Sequence, residues 1–262
     1  MYQEHFKLKQ QPFSEHAAVS SLWIDTRMNE ALARLAYLVD HATLGLITGP
    51  SGVGKSALLK CFLSKLPQRC EAVYCHLTHL PSAGLLKVLV SQMGEIPRRG
   101  KDRLFEQLYQ AAKRTEGTLL LVIDEAHLLD GEALTDLRLL VSSAIDIAPP
   151  LKIVLVGQPP LRAVLKRSQH ADLLNRVNVQ YQLRALTKEQ TAQYIDLQMK
   201  RAGGPEDVFD TSVKELIHDF AGGIPRQINN LATACLLQAT ACNAMRVDEA
   251  LFQQTTGEFQ LS

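Results

Sequence analysis

The sequence predicts an α/β fold with a mostly parallel sheet, followed by a smaller all-helical domain. Short apolar runs alternate with helical segments up to about residue 184, which is typical of strands joined by crossover helices. Beyond Leu183 helical periodicity continues without a convincing strand. The 262 residues are 46% hydrophobic, enough to bury a sizeable core. We therefore expect two domains, at residues 1–184 and 185–262.

The elements of the first domain follow from where apolar residues recur and where breakers interrupt them. Apolar residues at helical spacing predict amphipathic helices, and short continuous apolar runs predict strands covered on both faces. The predicted helices span residues 27–41, 55–66, 83–93, 104–114 and 132–147. The predicted strands span residues 44–48, 72–77, 119–123 and 152–156, and a further run covers residues 177–183. Pro67 and Pro149 end the helices that precede them.

The second domain is predicted to contain three helices, at residues 187–201, 210–221 and 225–242. Thr187 precedes Glu189 and Gln190, which is typical of a helix start. The glycines at 203 and 204, followed by Pro205, are typical of a helix end. The residues beyond 184 are therefore expected to form a small acidic helical domain.

The charge of the chain is balanced overall but unevenly distributed. A net charge of +1 excludes a globally basic nucleic-acid coat. Residues 1–184 hold 22 basic and 17 acidic side chains, whereas residues 185–262 hold 6 and 10. An anionic partner is therefore expected to meet the first domain.

The sequence also bears on compartment. No apolar run approaches the ~20 residues that cross a membrane, and the N-terminus lacks the pattern of a secretory signal. The five cysteines contain no Cys-x-x-Cys pair, as expected of reduced, mostly buried thiols. We expect a cytoplasmic protein with no membrane partner.

A phosphate-binding loop is the strongest motif. Residues 49–56 match G-x-x-x-x-G-K-[ST] between a predicted strand and a predicted helix, a context that argues against a chance match. Backbone N–H groups of such a loop cradle phosphate oxygens, and the following helix adds its positive N-terminal end. Lys55 would span the β- and γ-phosphates, and the Ser56 hydroxyl would bind Mg²⁺. The predicted nucleotide-binding residues are Gly49, Pro50, Ser51, Gly52, Val53, Gly54, Lys55, Ser56 and Ala57.

An acidic pair supplies the second half of the predicted site. Asp124 and Glu125 end the apolar run that begins at Leu119. A carboxylate at the tip of a buried strand can hold Mg²⁺, which suits Asp124, while Glu125 can polarise the attacking water as general base. An ordinary acidic strand end is the alternative for this pair alone. Together with the phosphate-binding loop, the pair predicts a site for ATP and Mg²⁺.

Three further polar residues are weaker candidates, each with a plain structural alternative. Gln158 follows a predicted strand and could reach the γ-phosphate or the water, or simply face solvent. Arg176 could neutralise charge at a neighbouring subunit's γ-phosphate, with Arg167 as a rival, or form a surface salt bridge. Arg226 opens a helix of the second domain and could sense the γ-phosphate, or be an ordinary surface arginine.

These motifs together resemble an AAA+ ATPase. Residues 49–56 and 119–125 are similar to the two Walker motifs, 154–159 to sensor 1, and 223–226 to sensor 2 in the lid. The opening resembles the ExeA (general secretion pathway A) type of AAA+ protein, in residues Met1, Tyr2, His5, Phe6, Leu8, Pro12, Phe13, Ser14 and 30–32. Residues 155–159 and 176–186 are also similar to that group.

The resemblance implies several properties. Phe6 and Phe13, with Leu8 and Pro12, would line the adenine pocket; packing of the N-terminus is the alternative. Secretion-type members continue into a membrane span, whereas this sequence stops at Ser262, which makes it similar to the shorter transposition ATPases of the TniB, TnsC and MuB type. Those relatives imply ATP-dependent homo-oligomers that bind double-stranded DNA and present it to a transposase.

A basic cluster gives some independent support for DNA. Arg98, Arg99, Lys101 and Arg103 lie in a predicted loop after the helix 83–93, and such residues contact phosphates without sequence preference. No aromatic side chain lies between positions 98 and 103, which favours duplex backbone over single strands. A solvated basic loop is the alternative, so the DNA hypothesis depends mainly on the resemblance.

Three functional hypotheses follow. The first is an oligomeric ATPase that binds duplex DNA and regulates transposition or target choice. The second is an ATPase that assists assembly of a secretion or cell-envelope complex. The third is an ATP-gated binding module with little turnover, against which Glu125 argues.

Overall fold

A computed structural model describes residues 2–14, 18–76, 81–142, 151–205 and 207–259. Its contacts divide the chain into two compact units. The sheet unit comprises Ile24–Ser51 and Lys55–Leu183. The helical unit comprises Met1–Trp23, Gly52–Gly54 and Arg184–Ser262.

The sheet unit is built on a parallel sheet, as predicted. The strands in the described ranges are β1 (Leu44–Thr48), β2 (Cys70–His76), β3 (Thr118–Asp124), β4 (Leu151–Gly157) and β5 (Val179–Gln182). Their order across the sheet is β2-β3-β4-β1-β5, and every neighbouring pair is parallel. The prediction of a doubly covered parallel α/β core is therefore confirmed.

Helices connect the strands and form the second unit. In chain order, those described are α1 (Tyr2–His5), α2 (Thr26–His41), α3 (Lys55–Leu63), α4 (Ser82–Gln92), α5 (Lys101–Arg114), α6 (Gly131–Ser142), α7 (Pro160–Leu165), α8 (Ala171–Leu174), α9 (Lys188–Arg201), α10 (Thr211–Ala221), α11 (Pro225–Ala241) and α12 (Glu249–Phe259). Single 3₁₀ turns lie at Val19–Ser21, Ala126–Leu128 and Ser168–His170.

The core of the sheet unit explains the continuous apolar runs. In β3, Leu119–Ile123 are all buried, and apolar side chains of α4, α5 and α6 belong to the same buried cluster. Strands covered by helices on both faces carry no polar alternation, which is why β1, β3 and β4 were recognisable from sequence. These three strands carry the candidate site.

Several boundaries differ from the predictions. Helix α3 ends at Leu63 rather than at residue 66, and the run at 177–183 contains β5. The short helix α7 was not predicted, although its Pro160 is well tolerated in a first turn. The predicted helix 132–147 is observed as far as Ser142, and its remainder lies outside the described residues, as does Leu77 of the predicted strand 72–77.

Among the described residues, the helical unit contains the three predicted helices and also α1 and α12. At α9, the Thr187 hydroxyl accepts the Gln190 N–H (3.2 Å), while the Gln190 side chain accepts the Thr187 N–H (3.1 Å). This capping box confirms the predicted helix start. Helix α12 was missed, although Asp248 caps it by accepting the Leu251 N–H (2.9 Å) and could have been recognised.

The N-terminal segment groups with the helical unit rather than with the sheet. Phe6 is fully buried and Phe13 is 3% exposed in the apolar core of that unit. The Phe13 ring packs edge-to-face on Phe209, with centroids 6.2 Å apart, and the Lys9 N–H donates to Ala202 O (2.7 Å). The predicted boundary at residue 184 placed residues 1–23 with the sheet, whereas the contacts place them with the helical unit. The reason is that Phe6 and Phe13 pack against apolar side chains of the C-terminal helices.

No helix within the described ranges is long and apolar enough to cross a membrane.

The reactivity of the cysteine thiols can test the burial that the structure gives to these side chains. Cys61, Cys75 and Cys235 are buried, Cys70 is half-buried and Cys242 is exposed. Burial raises the pKa of the Cys235 thiol to about 11 and raises that of Cys75 as well, so the reactive thiolate is scarce at neutral pH. We expect Cys242 to react first with a disulfide reagent at pH 7.5, and Cys242→Ser to remove this fast phase. A fast phase that survives this substitution would contradict the described burial.

Candidate nucleotide-binding site

The phosphate-binding loop lies between β1 and α3. Gly52 (φ +76°) and Gly54 (φ +111°) have positive φ angles that residues with a Cβ rarely adopt, which explains why glycine occupies both positions. The Gly49 N–H donates to the carbonyl of Gly157 at the end of β4 (3.1 Å). This hydrogen bond fixes the start of the loop to the neighbouring strand end.

Lys55 is held inside this loop. Its side chain is 6% exposed, and its Nζ donates to the carbonyl oxygens of Gly49 and Pro50, both at 3.0 Å. A buried ammonium stabilised by loop carbonyls is placed for contact with an anion bound at the loop. Ser56 and Ala57 follow in the first turn of α3, with Ser56 exposed.

Asp124 ends β3 and is the most buried carboxylate of the candidate site, at 1% exposure. Its Oδ2 accepts a hydrogen bond from the Tyr74 hydroxyl on β2 (2.9 Å), and its Oδ1 accepts the Glu125 N–H (2.9 Å). The Nδ1 atom of His76 lies 3.5 Å from Oδ2. Burial, together with the negative charge of Asp124, raises the pKa of Tyr74 far above its ordinary value. The phenol therefore keeps its proton and orients the carboxylate.

Glu125 has an unusual backbone. Its φ of 54° and ψ of 33° lie in the left-handed region, which costs a residue with a Cβ about 1–2 kcal/mol. The following 3₁₀ turn stabilises it, because the Leu128 N–H donates to Glu125 O (2.9 Å). The Glu125 Oε2 lies 3.2 Å from His127 Nδ1. Strain of this kind is concentrated at functional sites.

Sheet topology brings these segments to one edge. Strands β1 and β3 flank β4 on either side, with Thr48 opposite Gly157 and Ile123 opposite Leu155. Because all three strands are parallel, their carboxyl ends open on the same edge, where ligands bind in folds of this type. The loop, the acidic pair and Gln158 therefore meet at this edge, with Gln158 half-buried directly after β4.

Arg176 lies towards the opposite edge of the sheet from its own loop. It precedes β5, and the N–H of nearby Asn178 donates to Leu44 O at the beginning of β1 (3.0 Å). Arg176 and Arg167 are both exposed, and neither forms an ion pair within the described ranges. Contact between Arg176 and a γ-phosphate therefore requires a second subunit, and this role stays a prediction, as does that of Arg167.

The remaining predicted nucleotide contacts lie in the helical unit. Arg226 is in the first turn of α11, and its backbone N–H donates to Gly52 O (3.2 Å). A Cβ at Gly52 would lie only 2.8 Å from the Arg226 Cβ, so this approach also needs glycine. Phe6 and Phe13 pack in the helical core, as their structural alternative expected, and their adenine contact stays a prediction.

The basic cluster is partly neutralised. Arg98, Arg99 and Arg103 are exposed, but Lys101 Nζ pairs with Glu132 Oε1 (2.7 Å) and Asp136 Oδ1 (2.8 Å). Lys101 also lines a groove of about 760 Å³ between α5 and α6. Its charge is therefore less available to a phosphate than the three arginines are.

Three side chains beside the acidic pair were missed from sequence. Tyr74 and His76 come from β2, some fifty residues earlier, and their contact with Asp124 depends on strand order. His127 was recognisable in principle, because it stands two residues after Glu125 and a 3₁₀ turn returns such a side chain towards it.

Comparison with known proteins agrees with this geometry. Residues 39–165, from the end of α2 through α7, match a family model described as an AAA domain. The matched residues include the phosphate-binding loop, the acidic pair and Gln158, whereas Arg176 and Arg226 lie beyond them.

A curated relative extends the similarity beyond the residues that match the family model. The chain is 31% identical over 259 residues to "General secretion pathway protein A" of Aeromonas hydrophila. The match covers 94% of this chain and 46% of that protein, so the chain spans less than half the length of this relative. The resemblance to an AAA+ ATPase of the ExeA-like type is thereby supported, while similarity to the TniB and TnsC branch stays a prediction.

Solved structures share the fold. Cdc6p from Pyrobaculum aerophilum has a TM-score of 0.73 at 18% identity, covering 94% of this chain and 70% of its own. Drosophila ORC bound to DNA has a TM-score of 0.74 at 15% identity, and the match covers 100% of this chain and 66% of that one. The Thermotoga maritima RuvB Holliday junction branch migration motor has a TM-score of 0.59 at 19% identity, and the match covers 88% of this chain and 67% of that one. At these identities the likeness shows the AAA-type P-loop fold.

Removing the Tyr74 hydroxyl is expected to destabilise the protein and weaken its Mg²⁺ site. In Tyr74→Phe, buried Asp124 loses a hydrogen-bond donor, which costs about 1–3 kcal/mol of unfolding free energy. Outer donors of this kind contribute roughly 10-fold or more to metal affinity. Urea unfolding and Mg²⁺ titration of nucleotide binding measure both effects. Tyr37→Phe, at a tyrosine that is 56% exposed on α2, is the matched control. Equal behaviour of the two variants would contradict the orienting role.

Proposed function

We propose that this chain is an ATPase of the ExeA-like AAA+ type, which binds ATP with Mg²⁺ and hydrolyses it to ADP and phosphate. The observation that carries the proposal is the meeting of the glycine-rich loop with Lys55 and of the pair Asp124 and Glu125 at one edge of a parallel sheet. A buried ammonium and an oriented carboxylate suit a triphosphate and a divalent cation respectively.

Each residue has a distinct role in this proposal. The loop N–H groups and Lys55 bind phosphate oxygens, while Ser56 and Asp124 hold Mg²⁺, which supplies neutralisation of the phosphate charge. Glu125 accepts the proton of the attacking water, and Gln158 contacts the water or the γ-phosphate. Arg226 senses the nucleotide from the helical unit, and Phe6 and Phe13 contribute to the adenine side.

Phosphate release tests the proposal directly. Purified protein is incubated with ATP and Mg²⁺, and with ATP and EDTA. We expect Mg²⁺-dependent release, and nucleotide protection of the protein against thermal unfolding. If nucleotide protects the protein but no phosphate is released, the hypothesis of a nucleotide-gated module replaces the ATPase.

We also propose that ATP promotes self-association and that Arg176 acts on the neighbouring subunit. Its place away from its own loop supports this. Mixing two inactive variants, Arg176→Ala and Glu125→Gln, tests it, because a mixed assembly contains sites with both groups intact. We expect activity to reappear on mixing. No recovery would contradict Arg176, and the same experiment with Arg167→Ala tests its rival.

Duplex DNA is the first candidate partner, with regulation of transposition as the first proposed role and a transposase as the client. Exposed Arg98, Arg99 and Arg103 support it, as does the structure of Drosophila ORC bound to DNA, which shares the fold. Fluorescence anisotropy with labelled duplex at two salt concentrations, with and without ATP, measures binding. We expect a variant with alanine at Arg98, Arg99 and Arg103 to bind duplex DNA more weakly than wild type. A control variant with alanine at exposed Lys60, Lys65 and Lys87 should bind more tightly than that variant. Equal binding by the two variants, or no ATP-dependent binding, would contradict the DNA hypothesis.

Assembly of a secretion or cell-envelope complex is the second candidate role. The observation that favours it is the 31% identity to general secretion pathway protein A. It predicts that a protein partner, rather than DNA, stimulates phosphate release. Neighbouring genes for secretion components, rather than for a transposase, would support it.

A further inference from the structure

The groove between α5 and α6 has a partly uncovered apolar floor. Both helices pack on α4, and the Phe105 side chain packs against the buried core of the sheet unit. Tyr109, one helical turn further along α5, is half-buried, and Leu139 on α6 is 44% exposed. All three side chains line the groove. The floor therefore offers a partner apolar contacts about one helical turn apart.

The rim of the groove on α5 is acidic. Asp102 and Glu106 line it, are exposed, and stand one helical turn apart. Asp102 forms no ion pair with any residue of the described ranges, and Glu106 accepts a hydrogen bond from the Gln110 amide (2.6 Å). Neither carboxylate is neutralised by a described cation, so both are available to a cationic partner.

One end of the groove is fixed by ion pairs. Lys101 Nζ lies 2.7 Å from Glu132 Oε1 and 2.8 Å from Asp136 Oδ1, which joins α5 to α6. Asp136 is 2% exposed and also accepts a hydrogen bond from the Ser82 hydroxyl on α4. The groove is therefore preformed at this end, and its own lysine is neutralised there.

The other end also holds an ammonium group. Lys113 Nζ lies 4.3 Å from the centroid of the Tyr109 ring, the geometry of a cation–π contact. Lys101 and Tyr109 are eight residues apart, about 12 Å along α5 at 1.5 Å per residue. Over two helical turns, the groove thus combines apolar surface with groups that attract cations.

We propose that this groove docks a helical segment of a partner protein that is apolar on one side and basic beside it. Its apolar residues cover Phe105, Tyr109 and Leu139, as in other complexes that place an amphipathic helix in a groove. Its Lys or Arg residues pair with Asp102 and Glu106, and this charge complementarity selects the partner. The same carboxylates repel an acidic helix and a nucleic acid. None of these five residues belongs to the proposed nucleotide site.

Two labelled synthetic peptides test the charge of the occupant. Each is an amphipathic helix of about 16 residues with leucine at i, i+3, i+4 and i+7 spacing. The polar positions carry lysine in one peptide and glutamate in the other. In fluorescence anisotropy at low salt, we expect the full chain to bind the lysine peptide at least about 10-fold more tightly. Equal affinities for the two peptides would overturn the proposal.

Reversal of the rim charge locates the binding. In the double variant Asp102→Lys with Glu106→Lys, we expect the preference to invert, so that the glutamate peptide binds more tightly. The control is Glu189→Lys with Glu215→Lys, at two exposed carboxylates of the helical unit, which changes the net charge equally. It should keep the wild-type preference. If the control inverts the preference as well, or the groove variant keeps it, the proposal is wrong.

The apolar floor is tested separately. Leu139→Ser should bind the lysine peptide about 10-fold more weakly than wild type, because it removes apolar surface that the peptide covers. Leu237→Ser, at a leucine that is 53% exposed on α11, is the matched control and should bind as wild type does. Urea unfolding verifies that both variants are folded. Equal affinity of the two variants would contradict a contact at the floor.

A second copy of this chain is the competing occupant. Sedimentation of wild type and Leu139→Ser without peptide decides between the two. We expect the same distribution of masses in both proteins. Loss of self-association in Leu139→Ser would assign the groove to a second copy and overturn the docking of a partner protein.

Discussion

Lys55→Ala is expected to lose at least about 100-fold in ATP affinity. The ammonium is buried at the loop and would contact the phosphates through charge-assisted hydrogen bonds, each worth about 1.5–3 kcal/mol. A loss of about 3 kcal/mol corresponds to roughly 100-fold in the dissociation constant. Fluorescence titration with a labelled ATP analogue measures the affinity, and ATP-dependent assembly should disappear together with binding.

A lysine on the same helix supplies the control. Lys60 is exposed on α3, five residues after Lys55, so Lys60→Ala removes an ammonium without touching the loop. We expect wild-type binding from this variant. Lys55→Met, which keeps an apolar stem in the buried position, should lose binding while retaining the fold by circular dichroism. Full ATP affinity in folded Lys55→Met would disprove the location of the site.

Glu125→Gln is expected to lower kcat by about 10²–10⁴ while leaving ATP binding nearly unchanged. The amide keeps the size of the side chain but cannot accept a proton from water, and general-base catalysis contributes a factor of this order. The Glu125 backbone N–H contacts Asp124, whereas the Glu125 carboxylate lies beside His127. Changing this side chain should therefore leave the Mg²⁺ site intact. Single-turnover phosphate release at saturating ATP separates the two effects.

Glu116→Gln is the matched control, because Glu116 is exposed after α5 and forms no ion pair with any residue that the structure describes. It should hydrolyse ATP at the wild-type rate. Equal rates for wild type and Glu125→Gln would favour the nucleotide-gated module and leave Glu125 as a structural residue. Since a trapped ATP state lengthens the life of an assembly, Glu125→Gln should also give more stable oligomers.

Much of the candidate site was predictable because its chemistry is local in sequence. The loop needs glycines at Gly52 and Gly54 for backbone reasons, and its place between β1 and α3 follows from apolar patterning. The acidic pair directly follows a continuous apolar run, which marks the tip of a buried strand. Thr187 and Gln190 cap their own helix, so the start of α9 was equally readable.

Other features depend on contacts between residues that are far apart in the sequence. Tyr74 contacts Asp124 only because β2 lies beside β3, an order that periodicity does not specify. In the basic cluster, Lys101 is paired with Glu132 and Asp136, which α6 brings to it, so its charge is less available to a phosphate. The grouping of residues 1–23 with the helical unit likewise depends on apolar partners near the C-terminus.

The sequence by itself determined a parallel α/β core, the helical region after it, and the segments that bear the phosphate-binding and acidic groups. Those properties depend on residues within a few positions of one another, where backbone freedom, capping and apolar patterning act directly. Only the tertiary structure decided which donor orients Asp124, that Arg176 lies near the beginning of β1, and that one nitrogen of His127 lies close to both Glu125 and Gln158. Strand order and register place such groups together, and the free energy that selects them is that of the whole packed core.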